Sequence, residues 1–319
     1  MDFAVDGFRA PLLLSPGLGL MGEQALPREK KFGRVAIVGV GLVGGSLGLA
    51  LKKRGLADEV VGVCRRRVSL QKAQKRRAVD WGTLSLKKGV QGANLVVLAV
   101  PPGLIVEKGL EAAAVMEKGA VLTDAGSVKG VVVEELDRRL PPRVAFVGGH
   151  PIAGSEKRGV EAASADLFAG SVCVVTPSMK STSEGVRTVT RMWKGVGCSV
   201  VKLSPGEHDL LLGEVSHLPH VVAAALTRTV SERGLRYAGA GFGDTTRIAS
   251  GDSGLWADIL IGNRREIGKA AARLLEELKR FQNALARGER EEVAKLLGEA
   301  RKKRQLFEAK RNKTSKGRS

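Results

Sequence analysis

Arg34-Val35-Ala36-Ile37-Val38 runs straight into Gly39-Val40-Gly41-Leu42-Val43-Gly44, and an alanine- and leucine-rich stretch follows to about Lys53. Strand, then G-x-G-x-x-G, then helix is the order that a dinucleotide pyrophosphate requires. Gly39 permits the tight turn, Gly41 lets backbone N–H groups approach phosphate, and Gly44 lets the helix pack closely on the strand. Leu42 and Val43 complete the first helical turn, whose positive end faces the anion. The glycine spacing alone is a weak signal; its matching flanks set it above an ordinary glycine-rich turn.

An acidic residue that grips a ribose 2′-hydroxyl is expected about 20 residues beyond such a fingerprint, at the end of the second strand. That strand reads Val60-Val61-Gly62-Val63, the expected position holds Cys64, and Arg65, Arg66 and Arg67 follow. Guanidiniums without a carboxylate suit a 2′-phosphate. The corner therefore favours NADP, with NAD possible; the alternative is a solvated basic turn.

Strand and helix patterns then alternate as a Rossmann-type doubly wound parallel sheet requires. Leu95 to Val100 ends at Pro101, placing Val100 and Pro101 beside the cofactor. Ala120 to Asp124 leads to Ser127, expected as the N-cap of a helix over Val131 to Leu140, and Arg143 to Val147 leads to Gly148-Gly149-His150. Ligands bind at the carboxyl ends of such strands, so Gly41, Arg65, Pro101, Ser127 and His150 are expected on one rim. Strands over Ser171 to Thr176 and Ser199 to Leu203 follow. After Pro205 only helical patterns remain, over Glu207 to Val230, Leu255 to Ala286 and Arg290 to Phe307. The expected organisation is a flexible extension (1–32), a dinucleotide-binding α/β domain (33–203), an all-helical dimerisation and substrate domain (204–308) and a basic disordered tail (309–319). Widely spread apolar positions from Ile259 to Leu278 favour a homodimer.

The net charge of +19 invites a nucleic-acid reading, but two clusters carry most of it. Residues 301–319 hold nine Lys or Arg against one Glu, and residues 65–77 hold seven more; without them the balance is about +4. No basic and aromatic interleaving suggests base stacking, so nucleic acid stays a minor hypothesis. No unbroken apolar run reaches the roughly 18 residues of a membrane span. The first 30 residues lack a basic n-region and include Asp2, Asp6 and Glu23, against a signal or transit peptide. Cys64, Cys173 and Cys198 are few, odd in number and without metal spacing, as for reduced thiols in a cytoplasm.

Four ordered motifs carry a family resemblance: Asp124-Ala125-Gly126-Ser127-Val128-Lys129, His150-Pro151-Ile152-Ala153-Gly154-Ser155-Glu156, Ser216-His217-Leu218-Pro219-His220 and Asp244-Thr245-Thr246-Arg247-Ile248-Ala249. Over about residues 33 to 308 the chain resembles prephenate dehydrogenases of tyrosine biosynthesis. The resemblance implies oxidative decarboxylation of prephenate to 4-hydroxyphenylpyruvate, or of arogenate to tyrosine, by a dimer. It implies that Ser127 orients the substrate, Arg247 grips a carboxylate, and His220 and Trp256 line the pocket. Glu156 leans the choice toward prephenate, because an arogenate-preferring branch tends to a small residue there. Ala125 replaces a common Val, and the chain ends after the helical region, so any tyrosine feedback is expected at the substrate pocket.

The chemistry points the same way. Removing hydride from C4 of a cyclohexadienol requires a base at its hydroxyl, and His150 at the cofactor rim fits; the alternative is a structural histidine. Asp244, three residues before Arg247, could hold that guanidinium, or form an exposed pair worth little. Core packing equally explains Trp256. His217 and His220, with Glu214, share a helical face and could suggest a metal, but His208 completes no known zinc spacing and hydride transfer needs none, so no metal is expected. Two other readings stay open. A β-hydroxyacid-type dehydrogenase would need a catalytic Lys in its helical half, where no such motif stands out; the third is a polyanion-binding protein on an inactive scaffold.

Overall fold

The computed structural model describes residues 31–154 and 157–316; residues 1–30 of the expected N-terminal extension and Glu156 lie outside them, while Phe32, expected in that extension, is buried in the core. The elements run β1 (Arg34–Val38), α1 (Leu42–Lys53), β2 (Glu59–Val63), α2 (Arg67–Lys75), β3 (Trp81–Thr83), α3 (Leu86–Val90), β4 (Leu95–Leu98), α4 (Pro102–Ala113), β5 (Val121–Asp124), α5 (Gly130–Arg139) and β6 (Ala145–Pro151). Then come β7 (Val172–Thr176), α6 (Ser183–Gly195), β8 (Ser199–Lys202), α7 (Pro205–Leu212), α8 (Leu218–Thr229), α9 (Glu232–Leu235), α10 (Ala240–Thr246), α11 (Ser253–Gly262), α12 (Arg264–Ala286) and α13 (Arg290–Lys316).

Alternation along β1 shows why the sheet is covered on both faces. Val35 and Ile37 pack with Leu47 and Leu51 of α1 and with Met192 and Trp193 of α6. Ala36 and Val38 pack on the other face with Ile105 of α4 and Val132, Val133 and Leu136 of α5. Side chains two apart share a face, so a strand with apolar residues at every position needs helices on both sides. The eight strands lie in the order β3-β2-β1-β4-β5-β6-β7-β8. The expected parallel sheet needs one correction: β7 is antiparallel to β6, and β8 is parallel to β7. His150, expected beyond a strand, lies within β6 and is paired in register with Val174.

Three further expectations change. Ser127 caps no helix: α5 starts at Gly130 with Lys129 in the cap position and no side-chain cap of its own. The helix expected over 207–230 is broken by a π turn, Gly213–His217, in which the Leu218 N–H reaches the Gly213 carbonyl five residues back. Pro219 is the cause, since it has no N–H for the Val215 carbonyl and its ring crowds that turn. The helix expected over 255–286 divides at Asn263 into α11 and α12.

The tail expected to be disordered is helical as far as Lys316. It continues α13, whose preceding turn carries the Arg304–Glu308 pair at 2.9 Å, four residues apart on one face. Residues 205–229 form a helical run long and apolar enough by composition to cross a membrane, which a search for unbroken apolar runs misses because charged residues punctuate it. That run carries buried His208, Asp209, His217 and His220.

Candidate active site

Five strands, β1, β2, β4, β5 and β6, deliver expected residues to the same rim. β1 ends in the glycine loop, β2 at Cys64 and Arg65, β4 at Val100 and Pro101, β5 at Asp124 shortly before Ser127, and β6 contains His150. Gly39 adopts φ +96°, a conformation open chiefly to glycine. A Cβ on Gly44 would collide with the Gly39 carbonyl oxygen, whereas one on Gly41 would meet nothing within 4 Å. The first-turn N–H groups of α1 thus face open space at Gly41, a cradle that a pyrophosphate can fill. Leu42 and Val43 are half-buried behind it.

Cys64 is buried in the corner where an acid was expected, and burial pushes its thiol pKa up. Arg65, Arg66 and Arg67 are exposed, with no carboxylate partner among the described residues.

The deepest feature is an ion pair between Lys129 and Asp124, both fully buried. Asp124 also accepts the N–H groups of Gly126 and Gly149 at 3.0 Å each, and Lys129 Nζ donates to the Gly149 carbonyl at 3.1 Å. The pair ties the ends of β5 and β6 to the start of α5 and fixes the backbone immediately before His150. Ser127, between its members, is half-buried and makes no hydrogen bond among the described residues. Its hydroxyl is free for a ligand.

His150 is 8% exposed, and its Nδ1 lies 2.8 Å from Nε2 of His208 in α7. His208 Nδ1 is 2.8 Å from Asp209 Oδ1, and the Asp209 carboxylate accepts the Lys129 and Gly130 N–H groups at 2.8 Å each. Asp209 is therefore the cap that Ser127 was expected to provide. Burial holds the His150 pKa well below the usual imidazole range, and the nearby Lys129 ammonium pushes it the same way. His208 was set aside in the sequence because it matched no zinc spacing. Its 58-residue separation from His150 leaves no local pattern to find.

The helical side of the cleft is built around the π turn. His217 is buried, its Nδ1 lies 3.0 Å from Asn263 Nδ2, and burial lowers its pKa to about 4 despite the Asp209 carboxylate. Asn263 Nδ2 also donates to the Asp209 carbonyl at 2.7 Å, a buried role the sequence did not single out. His220 stacks on Trp256 with ring centroids 3.6 Å apart, and its buried Nδ1 has no partner among the described residues. Trp256 is thus a wall shared with His220. Glu214 does not join these histidines: it turns out to pair with Arg273, because the π turn rotates it away from the face that a regular helix would give it.

Arg247 and Asp244 lie apart from the buried histidines in exposure. Both are exposed, and no ion pair links them among the described residues. Arg247 opens a 3-10 turn (Arg247–Ser250) after α10. The loop after β6 reaches the helical side through an ion pair between Arg158 and Asp252, whose carboxylate caps α11 by accepting the Leu255 N–H at 2.5 Å.

Comparison with known proteins bears on this arrangement. Residues 47–202 match the family model described as "Prephenate dehydrogenase, nucleotide-binding domain", and residues 204–299 match "Prephenate dehydrogenase, dimerization domain". The chain is 35% identical to a prephenate dehydrogenase from Aquifex aeolicus solved with hydroxyphenyl propionate and NAD+, covering 88% of this chain and all of that one at a TM-score of 0.82. The chain belongs to the prephenate dehydrogenase family. Within the family it is 37% identical to the prephenate dehydrogenase of Bacillus subtilis, over 73% of this chain and 65% of that protein. It is 31% identical to the cyclohexadienyl dehydrogenase of Zymomonas mobilis, over 80% of this chain and 89% of that protein. The chain thus spans about 65% of the length of the Bacillus relative.

Proposed function

We propose that this chain catalyses the NAD(P)-dependent oxidative decarboxylation of prephenate to 4-hydroxyphenylpyruvate. The observation that carries the reading is a buried imidazole, His150, on the same rim as an open glycine cradle and an unengaged Ser127 hydroxyl. When bound, a nicotinamide cofactor supplies the hydride acceptor; Gly39, Gly41, Leu42, Val43, Gly44, Val100 and Pro101 would hold it. His150 accepts the proton of the substrate 4-hydroxyl as C4 becomes a carbonyl carbon. Ser127 shares that hydroxyl and orients the ring. Loss of carbon dioxide from C1 then returns the bond electrons to the ring, and the phenolate oxygen formed takes the proton back from His150. The step calls on no covalent nucleophile.

Arg247, three residues after Asp244 in the chain, is assigned to the substrate carboxylates, where a bidentate guanidinium contact gives both affinity and orientation. The unpartnered Nδ1 of His220, on its Trp256 platform, offers a further polar contact. Glu156 favours prephenate over arogenate. A likeness to an arogenate dehydrogenase from Synechocystis, 27% identical with a TM-score of 0.75, keeps arogenate as the second reading.

Exposed Arg65 and Arg66 support a preference for NADP, and Cys64 leaves no carboxylate to repel a 2′-phosphate. A homodimer is supported by the apolar side chains that the single chain leaves exposed on its helices, among them Val215, Leu226, Ile261 and Leu285. A spectrophotometric assay of prephenate and arogenate, each with NADP+ and NAD+, tests the reading. Turnover of prephenate with a lower KM for NADP+ is expected; no turnover of either substrate would overturn the function, and a clear NAD+ preference would overturn the cofactor assignment.

A further inference from the structure

We infer that His208 is a positioning residue that fixes the tautomer of His150 so that its Nε2 faces the substrate as a base. The inference rests on the proposed function for its chemistry and on geometry for its substance. Asp209 accepts two backbone N–H groups at the start of α5, one on each carboxylate oxygen. Both oxygens of the Asp209 carboxylate are thus acceptors, and a carboxylate has no hydrogen to donate to an imidazole nitrogen. At 2.8 Å from Asp209 Oδ1, His208 Nδ1 must therefore carry the hydrogen. In a neutral imidazole the other nitrogen then bears a lone pair, so His208 Nε2 accepts. At 2.8 Å from it, His150 Nδ1 must donate, and the lone pair of His150 is left on Nε2.

The same chain supports the charged intermediate. When His150 takes the hydroxyl proton, both its nitrogens carry hydrogen. The Nδ1 bond to His208 becomes charge-assisted, with the Asp209 carboxylate behind it. The proton stays on His150 Nε2 until the phenolate oxygen reclaims it, so no proton need leave the buried site. The arrangement joins three elements: β6 supplies the base, α7 the histidine and carboxylate, and α5 the N–H groups that anchor them. An imidazolium at His208 would do the opposite, donating to His150 Nδ1 and leaving hydrogen on the nitrogen that has to act as base.

Two variants and one spectroscopic readout test this. In His208→Leu the acceptor is lost, and in His208→Gln an amide oxygen can still accept from His150 Nδ1. Imidazole 15N NMR of the resting wild-type protein should show His150 protonated at Nδ1 and bare at Nε2. His208→Leu should lose that single tautomer and about 10²-fold in kcat, with KM for the dinucleotide unchanged. His208→Gln should recover at least about tenfold of the loss, since it restores the acceptor. Hydrogen on Nε2 in the wild type, wild-type kcat in His208→Leu, or a Gln variant as slow as the Leu variant would overturn the inference. Should His208→Leu fail to fold, the wild-type spectrum and the Gln variant still decide. Failure of the wild type to oxidise prephenate or arogenate would sink the proposed function, while the NMR result would still report the tautomer.

Discussion

Lys129 and Asp124 form an ion pair with no solvent exposure on either side chain, joining the end of β5 to the residue that precedes α5. Such a pair is costly to assemble and costly to break, because removing one partner leaves the other charged and buried. It also brackets Ser127 and holds the Gly149 carbonyl beside His150.

Replacing Lys129 with Met should therefore lower unfolding stability by about 3–5 kcal/mol, measured by urea titration. The double variant Lys129→Met with Asp124→Leu should recover part of that loss, since no charge is then stranded. A single variant within about 0.5 kcal/mol of the wild type would show that the pair contributes little.

The glycine loop separates folding from binding. Gly44→Ala sets a methyl against the Gly39 carbonyl and should lower the melting temperature, whereas Gly41→Ala points into open space and should leave it nearly unchanged. Gly41→Ala should instead weaken dinucleotide binding about tenfold or more, by blocking close approach of the pyrophosphate. Calorimetric melting and titration of both variants check this; equal binding by wild type and Gly41→Ala would remove Gly41 from the cradle.

The buried imidazoles set the pH dependence. Burial lowers the folded-state pKa of His150 and brings that of His217 to about 4. A base with a lowered pKa stays neutral in acid, so the acid limb of kcat/KM should fall below the ordinary imidazole value of about 6.5. Stability has the same sign. Above about pH 6.5 both states hold neutral imidazoles; as pH falls from there, the unfolded chain binds protons first and stability declines, for His217 until about pH 4. Denaturation between pH 7 and 4 should show this decline, and a flat profile would contradict it.

Much of the sheet and the rim was legible because their signals are local. The apolar runs of β1 and β4, the glycine spacing and the Asp124 to Lys129 motif each lie within about a dozen residues. What escaped depends on long-range pairing. The His150–His208 contact joins β6 to α7, and Asn263 matters only because α12 begins beside the π turn. The reversal of β7 is equally invisible in its Val172–Thr176 segment, which reads the same in either direction. The Glu214 face failed for a different reason: Pro219 acts on the turn before it, changing the helical period on which the prediction relied.

The most direct measurement is the turnover of prephenate by His150→Asn, with dinucleotide binding followed in the same preparation. A base that must take the hydroxyl proton predicts a loss of about 10²-fold or more in kcat with cofactor affinity retained. An unchanged kcat would contradict the account, because the buried imidazole at the end of the sheet would then take no part in the reaction.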